Sequence, residues 1–161
     1  MSPRLRVALL AVGFDIYWTL VVLLRERGEY IWLALAIVAC GILPARQSIL
    51  AVALTLAGCL LDSLWLKTGL VLFEGSQFLP LWMMSLWLMF ASVWTHLMCT
   101  TTLPLWLMTL LATVGGPAAY VIGQHVGAMV FLKPWLTVCS AMACGWLVLA
   151  LLFHWMVRQW R

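Results

Sequence analysis

Charge is what this sequence has least of. Only 9% of its 161 residues are Asp, Glu, Lys or Arg, while 66% are apolar. A soluble domain averages roughly 25% charged residues, because its surface must face water. Nine basic and five acidic side chains cannot clothe a globule of this length. That excludes a soluble domain and makes lipid the solvent for most of the surface.

Other absences narrow the chemistry. There is no H-E-x-x-H, no G-x-S-x-G, no phosphate loop and no carboxylate-rich helix motif, so no catalytic role is assigned and none of the residues is expected to hold a cofactor. The five cysteines, Cys40, Cys59, Cys99, Cys139 and Cys144, form no C-x-x-C and sit within or at the ends of apolar runs. They read as small packing residues rather than zinc ligands. The net charge of +4 forms no basic stripe interleaved with aromatics, so nucleic acid is not an expected partner. Repeats, low-complexity stretches, inverted halves and domain boundaries are also missing, and residues 1–161 read as one transmembrane domain.

What is present is a succession of apolar runs. A helix needs about 20 mainly apolar residues to cross a bilayer. The first run covers Leu5 to Leu24; it continues past Asp15 and so reads as a retained anchor rather than a cleaved leader. The second, Tyr30 to Leu43, is short. The third runs from Gln47 to Leu66, and Leu70 to Phe73 beyond it either extends that helix or dips into the interface. The fourth runs from Pro80 to Cys99. The fifth continues from Pro104 to Met129, interrupted at Gly115-Gly116-Pro117, and the sixth runs from Pro134 to Val157. The expectation is an all-α polytopic bundle of six helices, or five if the fourth connection is misread. Trp32, Trp82, Trp106, Trp135, Trp155 and Trp160 fall near span ends and suit belts at the headgroup level. An even helix count places both termini on one side. Arg4, Arg6, Arg46, Arg158 and Arg161 on that side, against Arg25, Arg27, Lys67 and Lys133 on the other, make it the cytoplasmic one.

Two carboxylates lie inside the spans, where insertion of an ionised acid costs about 2.5–3.5 kcal/mol. Ala8, Ala11, Asp15 and Thr19 share one face of the first helix, and Ala51, Thr55, Gly58 and Asp62 share one face of the third. Both stripes suit contact with another helix. The carboxylates read either as polar ties between helices or as a proton, cation or acid site.

The fifth segment carries the densest pattern. Gly115, Ala119, Gly123 and Gly127 recur every four residues, a face that lets backbones approach closely. Pro117 removes a backbone donor, so a kink or break is expected there. Tyr120, Gln124 and His125 lie nearby in sequence, and under the topology above they share the outer half of the membrane with Asp62. Asp15, Asp62, Tyr120, Gln124 and His125 are therefore the candidate polar pocket. His96 and His154 would lie in the inner third of the fourth and sixth helices, as interfacial histidines or, alternatively, as a facing pair able to ligate a haem.

Phe14-Asp15-x-x-Trp18, Asp62-x-x-Trp65, Pro80-Leu81-Trp82, Leu86-Trp87-x-x-Phe90-Ala91 and Gly116-Pro117-x-x-Tyr120-x-x-Gly123-x-x-x-Gly127-Ala128 occur in this order. In that pattern the chain resembles, over nearly its whole length, a proteobacterial family of small polytopic inner-membrane proteins of unknown function. The resemblance implies a bacterial inner membrane and a link to membrane-lipid modification, by association rather than mechanism. Three roles are open: a non-catalytic partner or scaffold for another inner-membrane protein, a small transporter or lipid-handling protein using Asp15 and Asp62, and a lipid-modifying enzyme. The partner role fits the small-residue stripes and short loops best.

Overall fold

The computed structural model describes residues 2–159, apart from the side chains of Pro3 and Arg4; Trp160 and Arg161, read above as belt and flanking charge, lie outside it. Among the described residues the chain forms six helices and two short strands. In order these are α1 (Pro3–Leu24), α2 (Glu29–Gly41), α3 (Ala45–Lys67), β1 (Val71–Phe73), α4 (Leu81–Thr100), α5 (Leu105–His125), β2 (Met129–Phe131) and α6 (Trp135–Gln159). All helices except α2 are long and apolar enough to cross a membrane.

Local chemistry sets the ends. Ser2 caps α1 by accepting from the Leu5 amide at 3.3 Å, and Pro3 occupies the first turn, where its missing N–H costs nothing. At the end of α2 the Cys40 carbonyl accepts from the Leu43 amide at 3.2 Å and from the Ser48 hydroxyl at 2.9 Å.

The chain divides into two compact units. The first holds the chain up to Leu56 together with Leu81–Thr102, that is α1, α2, the first half of α3, and α4. Its centre is α4, 56% of whose span is buried, against 17% for α1. Phe90 of α4 meets Phe14 of α1 at 5.9 Å between ring centroids. Trp82 is fully buried and is a core residue, not part of a headgroup belt; Trp106, Trp135 and Trp155 are exposed.

The second unit holds Ala57–Pro80 and the chain from Leu103 onward. Here β1 and β2 pair antiparallel, with Val71 opposite Phe131, Leu72 opposite Val130 and Phe73 opposite Met129. This ribbon corrects two expectations. Residues 71–73 form a strand and do not extend α3, and Met129 is in a strand rather than in the fifth helix. The cause is a matched pair of helix stops. After α3, Leu70 N–H bonds Trp65 O at 2.9 Å and Gly69 N–H bonds Leu66 O at 3.2 Å; after α5, Ala128 N–H bonds Gly123 O at 2.9 Å and Gly127 N–H bonds Gln124 O at 3.0 Å. Gly69 and Gly127 have φ of 65° and 73°, the left-handed cap that glycine accepts without a Cβ penalty. Gly127 is therefore a helix stop outside α5 and not part of a packing stripe. The expected break at Pro117 is also absent: α5 is one helix through it. The lost donor is a local defect, and burial of Gly116, Pro117 and Tyr120 holds the helix on both sides of it.

Candidate functional site

The most buried ionisable group described is Asp62, with no exposed surface. It lies on the second half of α3, where the offsets of four, three and four that align Ala51, Thr55, Gly58 and Asp62 place it on the inward face. The Tyr120 hydroxyl, from α5, donates to its Oδ1 at 2.5 Å. Trp65, one turn beyond Asp62, stands edge-on to the Tyr120 ring with centroids 5.4 Å apart.

Two glycines bring the neighbouring helices close. A Cβ on Gly116 of α5 would collide with the indole of Trp146 from α6. A Cβ on Gly145 of α6 would lie 3.0 Å from Trp65 Cζ2 and 3.2 Å from both Leu61 δ-methyls. Small residues thus let α3, α5 and α6 close around one layer, as expected where lipid offers no hydrophobic drive for helix association. A hydrogen bond to a charged group contributes about 1.5–3 kcal/mol, comparable with the roughly 2.5–3.5 kcal/mol cost of inserting the carboxylate. The Tyr120 bond is therefore large enough to decide whether Asp62 can be held there. Thr113 adds a second polar spot on α5: its hydroxyl is buried without a hydrogen-bond partner. It lies one turn before Pro117, whose missing N–H leaves the Thr113 carbonyl without its usual helical donor.

Of the five residues expected to form a pocket, the structure joins Asp62 and Tyr120. Gln124 and His125 are exposed, and His125 Nδ1 lies 2.7 Å from the carbonyl of Val121 on its own helix. At about 100° per residue His125 is turned roughly 140° from Tyr120, whereas Gln124 follows Tyr120 by one turn on the same side and is exposed at the end of α5. Asp15 belongs to the first unit and is exposed, as are Ala8, Ala11 and Thr19 on the same stripe. Its carboxylate makes no hydrogen bond with any described residue; the one bond at this position runs from the Thr19 hydroxyl to the Asp15 backbone carbonyl, at 2.7 Å.

The packing face of α5 is likewise offset. Gly115 is exposed with open space where a Cβ would be, and Ala119 is half-buried. A Cβ on Gly123 would lie 2.8 Å from the flexible end of Met129. Gly116, Gly145, Trp65 and Trp146 are the residues sequence reasoning left out of the site. The Gly-Pro-x-x-Tyr segment pointed to Gly116, whereas nothing in the periodicity points to Gly145.

The first unit has its own polar ties. The Tyr17 hydroxyl of α1 donates to the Trp32 carbonyl of α2 at 2.8 Å and lies 3.4 Å from the Ser85 carbonyl of α4. Arg6 donates to His96 Nε2 at 2.7 Å, which leaves the proton on Nδ1 to be donated to Gln47 Oε1 at 3.1 Å. Both ring nitrogens of His96 are thereby engaged, which argues against a role as haem ligand. These contacts also put the start of α1, the start of α3 and the end of α4 at one level.

Among the described residues the arrangement is a helical protein with five helices long and apolar enough to cross a membrane, one buried carboxylate–phenol pair and one exposed mid-helix carboxylate. Residues 7–152 match the family described as protein of unknown function (DUF2878), and the chain belongs to that family. No curated protein and no solved structure matches it.

Proposed function

We propose that this chain is a non-catalytic partner protein of a bacterial inner membrane, and that α1 docks a transmembrane helix of another protein. The observation that carries this reading is Asp15. It lies near the middle of an apolar span, exposed, on a stripe of Ala8, Ala11 and Thr19. A carboxylate left against hydrocarbon costs about 2.5–3.5 kcal/mol, while small residues beside it allow a second backbone to approach. A helix bearing Lys, Arg, Asn or Gln at matching depth removes that cost and supplies the specificity.

The proposed topology has six crossings with both ends cytoplasmic. It is supported by the common level of Arg6, Gln47 and His96: the chain leaves that level along α1 and has returned to it by residue 47. The 13 residues of α2 rise about 20 Å, and the connection over 42–44 adds the remainder of a crossing of roughly 30 Å.

Affinity purification of the tagged full chain in mild detergent tests the docking. A specific membrane protein whose span carries a donor residue is expected to copurify with the wild type and with Ile16→Leu. It should be lost with Asp15→Leu and with Ala11→Leu. Retention by both stripe variants, or capture of a second copy of the chain alone, removes the reading. A changed lipid profile on deletion would tie the partner to lipid modification, and an unchanged one would cut that link.

A second reading, proton-coupled transport, is favoured by the complete burial of Asp62 against Tyr120. It predicts a folded but inactive Asp62→Asn protein, whereas the partner reading predicts that this variant still captures its partner.

A further inference from the structure

The first turns of α1 are held loosely. Residues 5–13 are exposed or half-buried, and a Cβ on Gly13 would meet open space. Among the described residues, one side-chain hydrogen bond ties this segment to another element: Arg6 reaches His96 of α4 at 2.7 Å. Further along, α1 is fastened independently, by Phe14 against Phe90 and by the Tyr17 hydroxyl on the Trp32 carbonyl. The start of the helix therefore hangs on a bond to a titratable ring.

That ring has no spare position for a proton. A guanidinium donates and never accepts, so Nε2 is bare and receives the Arg6 N–H. The ring proton is on Nδ1, 3.1 Å from Gln47 Oε1 of α3. A second proton can enter only at Nε2, where it removes the acceptor and sets an imidazolium against the guanidinium. The Gln47 bond survives, because its donor is unchanged. Among the described residues Arg6 is the charged group in contact with the ring, and no carboxylate offsets the two cations. On α3, Arg46 beside Gln47 is exposed. On α4 itself, the Thr100 hydroxyl donates to the His96 carbonyl at 2.7 Å. The remaining neighbour, α2, packs on α4 and carries Cys40 near its end, with the thiol 3.9 Å from the Ser48 carbonyl.

We propose that Arg6 and His96 form a proton-operated latch, which holds the start of α1 on α4 while His96 is neutral and releases it when the ring takes up a proton. Acidification on the side of the membrane where α1 begins opens the latch. Gln47 keeps α3 joined to α4, so the movement is confined to the turns of α1 before Phe14. The latch stands whether or not α1 docks a partner. Under the docking reading it governs the half of the stripe that carries Ala8 and Ala11, both exposed.

Amide hydrogen exchange of the detergent-purified full chain, read by mass spectrometry at about pH 7.5 and about pH 5.5, brackets the ordinary histidine range near 6.5. Labelling times are scaled for the intrinsic effect of pH on exchange. Residues 3–13 are expected to exchange about fivefold faster at the lower pH, the upper range for a solvent-screened charged contact, while residues 45–50 keep their protection. His96→Gln retains an acceptor for Arg6 that takes up no proton, so residues 3–13 should stay protected at both pH values. Arg6→Leu should exchange fast at both, and keeps the test decisive should His96→Gln not fold. His125→Gln, on α5, should respond as the wild type does. An unchanged wild type, a pH response that survives in His96→Gln or Arg6→Leu, or equal loosening of residues 45–50 overturns the proposal.

Discussion

In α1 the carboxylate of Asp15 lies exposed beside Ala8, Ala11 and Thr19, whereas in α3 the carboxylate of Asp62 is fully buried and bonded to Tyr120. The two stripes are built alike, from small residues and a threonine at helical spacing. Their surroundings differ. Around Asp62, Gly116 and Gly145 admit the indole of Trp146 and the side chains of Trp65 and Leu61, so neighbouring helices close over the acid. Around Asp15 no described side chain takes that role. An intramembrane carboxylate is thus settled by what its neighbours bring to it, and the one left unsatisfied is where a partner is to be sought.

The largest effect expected from breaking this contrast is at Gly116. Gly116→Leu should drive a side chain into Trp146 and abolish folded protein or cost more than the roughly 1–3 kcal/mol usual for overpacking. Gly115→Leu, one residue earlier with open space beside it, should leave yield unchanged. Size-exclusion profiles of the two variants compare them directly, and equal behaviour would place the closely packed face elsewhere.

Next comes the carboxylate–phenol bond. Tyr120→Phe removes the donor to a buried acid, a loss of about 1–3 kcal/mol, and should lower the thermal unfolding midpoint in detergent. A midpoint matching the wild type would mean that Asp62 is held by other groups.

Asp15→Asn sharpens the comparison from the other side. With no described hydrogen bond to lose, it should shift the stability of the purified chain by less than about 0.5 kcal/mol while reducing partner capture. A fall in stability as large as that of Tyr120→Phe would show that Asp15 is tied within the chain.

The smallest effects belong to Gln124→Ala and His125→Ala, both exposed at the end of α5. Each should stay within about 0.5 kcal/mol of the wild type and leave activity assays of the Asp62 site untouched. A strong phenotype from either would restore the larger pocket suggested by their sequence neighbourhood.

Much of the architecture was legible before any coordinates. The helices fall where apolar runs and flanking charges put them, because a span's length and apolarity are local properties that the bilayer alone rewards. Tyr120 and Asp62 were also readable as unusual, since each interrupts an apolar pattern. The sequence did not decide which face of α5 packs. Gly115 and Gly127 continue the four-residue period as faithfully as Gly123, yet Gly115 is exposed and Gly127 is a left-handed helix stop. It did not announce the β1–β2 ribbon either, because the three residues of each strand are too few for a period to show and their pairing joins positions about sixty apart. Nor did it separate Asp15 from Asp62. Periodicity places a residue on a face of its own helix, but only the packing of other helices determines whether that face meets protein or is left open.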